Sequence, residues 1–516
     1  MKKGLFATFL LICSFTIFGQ NRFSNDLLMK VIYQHQYDQN TSAILPYLHH
    51  EQQKYRLAAA MAFASVQDSI AVEDLLACVK NDVDLDVQKA AVFSLGQLRL
   101  NSVSKRLITL FNDKKYAKVK NELLMAIGKG ANTSDLPFYN KLVVRDKDTL
   151  QQYAFAYSVF QAYRRTKNLG TNGGEDMLNT IQHLSLITHS NAVKVLIKPF
   201  VVSNKTNESP EFSGAAIGAY KKGMIDSAQI MANPYHAIEQ LKSLHLNEND
   251  WYDLATNKKY PYAFTTYCME QYIATQKELS LDQYRMLLEG GNVAFISMAA
   301  EHMRTDSNWL SMAHMQVPYL KTIQSMLMMP RDFEAWVDLE KTICKAENRK
   351  YEYKSWFTLT GYRHPIDWEY VKLIPENLKI KVTTNKGSFV MVLKVNEAPG
   401  SVVNFLKLLD SNYYDKRYFH RMVPDFVVQG GCPRGDGWGS LNWTQRSELS
   451  NNLVYKPGSV GLASAGKDSE GVQFFVTHTW TPHLDGRYTI FAELIEGMEV
   501  INTLKVGDQI LYIEKI

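Results

Sequence analysis

Cysteine is scarce in this sequence. Five occur among 516 residues, and no two form a Cys-x-x-Cys pair. No Cys/His spacing suits zinc, so no metal site is expected. Cys78, Cys268, Cys344 and Cys432 stand far apart and read as free thiols, buried in the first three cases, rather than as a disulfide framework. Charge of one sign is lacking too. The 57 Lys and Arg against 52 Asp and Glu leave a formal charge of +5, and no basic tract stands out. That excludes the electrostatic footprint of a nucleic-acid partner. Beyond the first eighteen residues there is no long apolar run, so no membrane span is expected in the processed chain.

What is present starts with a leader. Lys2 and Lys3 precede the apolar run Leu5 to Phe18, and Gly19 is a small residue before a cut, which predicts a signal peptide over 1–19. Its removal takes the charge to +3 (5 − 2). Ile12 is bulky for the residue before a lipid-bearing cysteine, so anchoring through Cys13 is not expected. Export to the periplasm or the extracellular space is. The rest, 46% hydrophobic and 21% charged, has globular composition and a length that divides into domains.

From residue 55 the chain repeats every 32 residues: Tyr55, Val87 and Val119; Ala59, Ala91 and Leu123; Phe63, Leu95 and Ile127; and the small residues Ala64, Gly96 and Gly128. Phe155 and Val159 continue the period into a looser fourth copy. Apolar residues at i, i+4 and i+8 mark one helix face, and a second group (Leu75-Leu76, Leu107-Ile108) follows about a dozen residues later. Each copy is therefore a pair of helices that must stack on its neighbours to bury its apolar face. The pattern resembles HEAT repeats. The helical region is assigned to 22–345, with further helices over 191–201, 213–222, Pro261–Thr275, Ser280–Leu288 and Asn292–Met303, after a loop at 168–174. Met326-Leu327-Met328-Met329 reads as buried helix packing. His35, His49-His50 and His302 have no partners at metal spacing. Trp336, Trp356 and Trp368 are expected to pack at the domain junction, beside a linker over 346–374.

The remainder, 375–516, alternates. Strands are predicted at Leu378–Thr384, Ser388–Val395, Tyr418–Met422, Phe426–Gln429, Val460–Ala463, Gln473–Thr477, Thr489–Leu494 and Ile510–Ile516. One helix is capped by Ser401 and a second opens at Glu496. In the third of these strands, alternation places Phe419, Arg421 and Val423 on one side, with His420 and Met422 on the other.

Three blocks in this part carry a resemblance: Tyr418-Phe419-His420-Arg421-Met422-Val423-Pro424-Asp425-Phe426-Val427-Val428-Gln429-Gly430-Gly431, then Gly471-Val472-Gln473-Phe474-Phe475-Val476, then Leu484-Asp485-Gly486-Arg487-Tyr488-Thr489-Ile490-Phe491. In order and spacing they resemble the cyclophilins, the peptidyl-prolyl cis/trans isomerases. The resemblance implies a closed eight-stranded antiparallel β-barrel capped by two helices, following the HEAT-like superhelical solenoid. It implies an isomerase for X-Pro bonds that needs no cofactor and acts on proline-containing polypeptides. Arg421, Gln429 and Phe426 take the catalytic positions. Val427, Ala463, Ser464, Gln473, Phe475, His483, Leu484 and Tyr488 take the substrate-binding ones, with Phe419 and Phe474 facing inward.

Five positions depart from many relatives. Val427 stands for methionine, Ser464 for asparagine and Tyr488 for histidine. His483 stands for tryptophan, so weak cyclosporin binding is expected. Cys432, where many members carry an acid, is expected to be partly exposed and reactive. Gly435-Asp436-Gly437-Trp438-Gly439 lacks a following helix start and reads as a surface loop beside the site, not a phosphate cradle. The reading is thus an exported folding helper whose repeats hold clients or a protein partner. The alternative is a proline-segment-binding scaffold with weak or no isomerase activity.

Overall fold

The computed structural model describes residues 20–139, 141–142, 149–168, 227–242 and 246–516. The leader over 1–19, the loop at 169–174 and the helices expected over 191–201 and 213–222 lie outside the described residues.

The repeat positions become the inner faces of stacked helices. Gln53–Val66, Leu85–Gln97, Lys120–Gly130 and Thr149–Asn168 are the successive first helices, and Val72–Asn81 and Asn101–Asn112 are second helices. Tyr55, Ala59, Phe63, Val87, Ala91, Leu95, Val119, Leu123, Ile127, Phe155 and Val159 are all buried. The small residues are steric requirements. A Cβ at Gly96 would lie 2.9 Å from Ala126 of the next copy, and one at Gly128 would lie 2.3 Å from the Ser158 carbonyl oxygen. Only glycine lets neighbouring backbones approach this closely.

A second helical group runs from Ser227–Ala232 to Phe333–Ala346 and closes around its own apolar cluster, including Phe264, Leu287, Ala294, Leu320 and Leu339. The Met-rich piece corrects its expectation. The helix Ser307–Ser325 ends before it, leaving Met326 70% and Met328 54% exposed in a turn.

In the C-terminal part, β1 (Lys379–Thr384), β2 (Gly387–Leu393), β3 (Phe419–Val423), β4 (Val427–Gly430), β5 (Ser459–Leu462), β6 (Phe474–Thr477), β7 (Ile490–Glu496) and β8 (Ile510–Lys515) form one sheet. Its order is β3-β4-β6-β5-β7-β2-β1-β8, and every pairing is antiparallel. The sheet curls until its edges meet at a single bridge, Tyr418 with Gln509, beside Phe419 N–H donating to Asp508 O at 2.8 Å. Phe419, Phe474 and Phe491 are fully buried, and Phe405 of the helix Pro399–Asp410 packs on Phe474 and Phe491.

Ser401 does not cap that helix. Ala398 is the N-cap and Pro399 the first helical residue, which suits a fixed φ and a missing N–H. The buried Glu448 carboxylate takes the free donors instead: Gly400 N–H (3.0 Å), Ser401 N–H (2.8 Å) and the Ser401 hydroxyl (2.7 Å). An anion at a helix start also meets the positive end of the helix dipole.

The segment before the sheet is packed rather than loose. It contains the helices Trp356–Thr360 and Trp368–Leu373, with Phe357 and Val371 buried. Trp368 packs against Phe23 at 5.3 Å between ring centroids and donates to Gln34 Oε1 at 2.7 Å. Phe23, Met29 and Ile32 thereby join the core of the C-terminal sheet. Asn21 Nδ2 holds this N-terminal piece by donating to Val371 O and Ile374 O, both at 2.7 Å.

Candidate active site

The site is built from a row across four strands. Arg421 on β3 pairs with Gln429 on β4, which pairs with Phe475 on β6, which pairs with Gly461 on β5. Directly opposed residues share a face, so this register alone puts guanidinium, amide and phenyl ring side by side. Gly461 ends the row because a Cβ there would meet Tyr455 Oη at 2.2 Å and Phe475 Cζ at 2.6 Å.

Strict alternation, which set Phe419 and Arg421 on one side of β3, is broken. Phe419 pairs with Gly430 and Arg421 with Gln429, so two steps on β3 oppose one on β4. This bulge turns Phe419 into the core while His420 and Arg421 both line a cleft.

The cleft encloses about 580 Å³ and collects Arg421, Phe426, Val427, Gln429, Ala463, Ser464, Phe475, Leu484 and Tyr488. Its floor is apolar: Val427, Phe475 and Leu484 pack with Tyr455 and Ile490. Tyr455 stacks on Phe475 at 5.6 Å with planes 21° apart, and Tyr488 stands edge-on to the same ring at 6.0 Å. Arg421 is exposed within the cleft, 5.9 Å from the Phe426 ring centroid.

Two expected residues lie beside the cleft rather than in it. Gln473 accepts from Gln429 Nε2 at 2.9 Å, and its own amide donates to Gly437 O (2.9 Å) and Gly439 O (2.8 Å), tying the row to the glycine-rich loop. His483 backs Phe426 instead of facing substrate space, stacked at 5.2 Å with planes 26° apart, and Phe160 of the repeats lies on it at 6.4 Å. Burial, with Arg164 and Arg487 nearby, pushes the His483 imidazole down to about 4. Burial likewise takes His420 to about 4 against the pull of Asp436. Both rings are neutral at pH 7.

The loop Gly435–Gly439 is an interior joint, not a surface loop. Tyr235 donates its hydroxyl to Gly435 O, and Thr266 donates to Asp436 Oδ2 at 3.0 Å. Arg434 donates to Asn292 at 2.7 Å and lies over the Tyr262 ring at 3.9 Å, while Trp438 packs into the second helical cluster. Cys432 is caught under this joint. It is fully buried, and burial with Asp436 nearby pushes its thiol up to about 11, so it is neither exposed nor activated.

On the opposite side the repeats grip the third block. Tyr153 of the repeats donates its hydroxyl to Asp485 Oδ2 at 3.5 Å, while Tyr455 N–H of the C-terminal part holds the other oxygen at 2.7 Å. Gln97 lies between Lys129 Nζ and Gly486 O, at 3.0 and 3.1 Å. Gly486 has φ +65° with Gln97 against it, so both conformation and space call for glycine.

The sequence did not single out Tyr455, His420 or Trp438 for the site, nor Glu270 and Glu334, which line the cleft from the second helical group. His420 and Trp438 lie inside quoted motifs. The glutamates lie far away in the chain, and no sequence signal marks them.

With this geometry in place, similarities to known proteins can be set beside it. Residues 379–511 match the family model described as cyclophilin type peptidyl-prolyl cis-trans isomerase/CLD, and residues 41–128 match HEAT repeats. The chain is 43% identical over 112 residues to peptidyl-prolyl cis-trans isomerase B of Bacillus subtilis, covering 22% of this chain and 78% of that protein. It is 38% identical over 133 residues to a peptidyl-prolyl cis-trans isomerase of Synechococcus elongatus, covering 25% and 91%. A solved cyclophilin-type isomerase from Cryptosporidium parvum is 30% identical over 27% of this chain and 98% of that one, with a TM-score of 0.26.

Proposed function

The chain belongs to the cyclophilin-type peptidyl-prolyl cis-trans isomerases, and from that premise we propose that Arg421, Phe426 and Gln429 carry the isomerisation of X-Pro bonds in this protein. The reaction breaks no bond. The amide C–N bond resists rotation by about 18–20 kcal/mol because of its partial double-bond character. In X-Pro the two planar isomers lie close in energy but exchange over roughly tens to hundreds of seconds. The site must bind the twisted amide better than either planar form. Each tenfold acceleration takes about 1.4 kcal/mol of that preference.

The single observation that carries this reading is the row Arg421–Gln429–Phe475 above an apolar floor. A proline ring seated on Val427, Phe475 and Leu484 leaves its preceding amide beside Arg421. On twisting, the prolyl nitrogen regains a lone pair, and a guanidinium N–H can donate to it without losing its own proton. Gln429, opposite Arg421 in register, holds the strand face on which the substrate backbone lies. Ser464 offers backbone groups and a short hydroxyl on the facing wall. The role of His483 is to support Phe426 from behind.

In this reading the substrates are proline-containing polypeptides of the exported fraction, a setting that rests on the leader pattern of residues 1–19. The HEAT repeats act as a scaffold for clients or a partner, an inference from the stacked-helix architecture such repeats share. The test is isomerisation of a proline peptide by the full chain. Arg421→Ala is expected to lower kcat/KM by roughly a hundredfold or more. Equal rates from the two proteins would remove Arg421 from the mechanism.

A further inference from the structure

Part of the cleft's lining comes from outside the isomerase domain. Glu270, from the helix Tyr262–Ala274, and Glu334, from Phe333–Ala346, line the same cavity as Arg421, Phe426 and Ser464. Among the described residues, neither glutamate makes a hydrogen bond or a close ion pair. The other two acids of Phe333–Ala346 are paired. Asp338 pairs with Lys341 at 3.0 Å and Glu340 with Arg349 at 2.9 Å, both on the helix that carries Glu334. The third carboxylate of the cleft, Asp436, is neutralised by Arg434 at 2.7 Å and belongs to the joint. Two carboxylates without a protein partner therefore line the cleft.

We propose that Glu270 and Glu334 determine substrate specificity, selecting polypeptides that carry lysine or arginine a few residues from the isomerised proline. The proposal rests on the cleft being the X-Pro site. Arg421 disfavours a basic residue at the reacting bond itself, whereas the two glutamates attract one further along an extended chain. Two carboxylates without a protein counter-charge attract a basic side chain over several ångströms, an attraction that added salt weakens.

The ionisation of the pair supports this. Burial pushes Glu334 up to about 7, with Asp338 and Asp436 adding to the rise and Lys341 opposing it. Burial and Asp436 also raise Glu270. Of the other groups around Glu334, His420 is neutral above about 4, and Arg331 is bound to Asp332 at 2.6 Å; Arg421 lines the same cleft. A basic side chain would supply the missing counter-charge and draw Glu334 to its ionised form. Its advantage therefore grows as pH rises from about 6 to about 8.

The test uses the full chain and matched proline peptides with Lys, Gln or Glu scanned over the residues flanking the X-Pro bond. Both kcat/KM and peptide Kd are measured. At the best position the Lys peptide should exceed the Glu peptide by roughly five- to tenfold, a ratio that shrinks with added salt. The paired substitution Glu270→Gln and Glu334→Gln should bring the ratio close to one, and Glu270→Lys with Glu334→Lys should invert it. A wild-type ratio near one at every position, or a ratio that neither pair of substitutions moves, overturns the proposal. If no peptide is isomerised, the enzymatic reading fails on its own, and the charge ratio in Kd still decides the role of the two glutamates.

Discussion

Arg421 and Phe419 are two residues apart and have opposite fates. One faces the cleft and the other is fully buried, because a bulge between them undoes the two-residue period of the strand. The same local dependence governs Cys432. Its position after Gly430-Gly431 suggested exposure, but the joint above it seals the thiol, and burial raises it to about 11. Cys432 is therefore expected to resist iodoacetamide in the native chain at pH 8 and to react once the chain is denatured, as read by mass spectrometry. Stoichiometric native labelling would show that the loop Gly435–Gly439 opens in solution.

At the scale of elements, the 32-residue period translated directly into stacked helices because every repeated position is buried against a neighbouring copy. The small positions are the most demanding. Gly128→Val would drive a branched side chain into the Ser158 backbone, which cannot yield as a flexible side chain can. Overpacking of this kind costs about 3 kcal/mol. A clear drop in thermal midpoint is expected for this substitution, whereas Gly290→Ala, with only the Met286 carbonyl oxygen at 3.3 Å, should change it little. Equal midpoints for Gly128→Val and the wild type would mean that the repeats do not stack as closely as described.

On the scale of the whole molecule, the isomerase domain is held on three sides. The repeats grip Asp485 and Gly486, the second helical group seats Trp438, and residues 20–37 add Phe23, Met29 and Ile32 to the core of the sheet. Each of those three side chains, fully buried, contributes about 1.5–3 kcal/mol. A fragment of residues 375–516 is therefore expected to melt well below the full chain and to bind a hydrophobic dye through its uncovered faces. A fragment as stable as the full chain would show that these contacts add little.

Sequence alone determined the two architectures and most of the site. Helical and strand periods are local properties, and Arg421, Phe426, Gln429, Phe475 and Leu484 sit in blocks whose spacing is fixed by short strands. The sequence did not reveal that Glu448 caps the helix expected to start at Ser401, that the 346–374 segment is packed, or that Gly435–Gly439 is an interior joint. Each depends on partners from 47 to 350 residues away, at separations no window can read. Tertiary structure alone decided that the cleft is shared between domains, with Glu270 and Glu334 lining the same cavity as Arg421, because only packing brings a helix face and a strand row from distant parts of the chain to the same space.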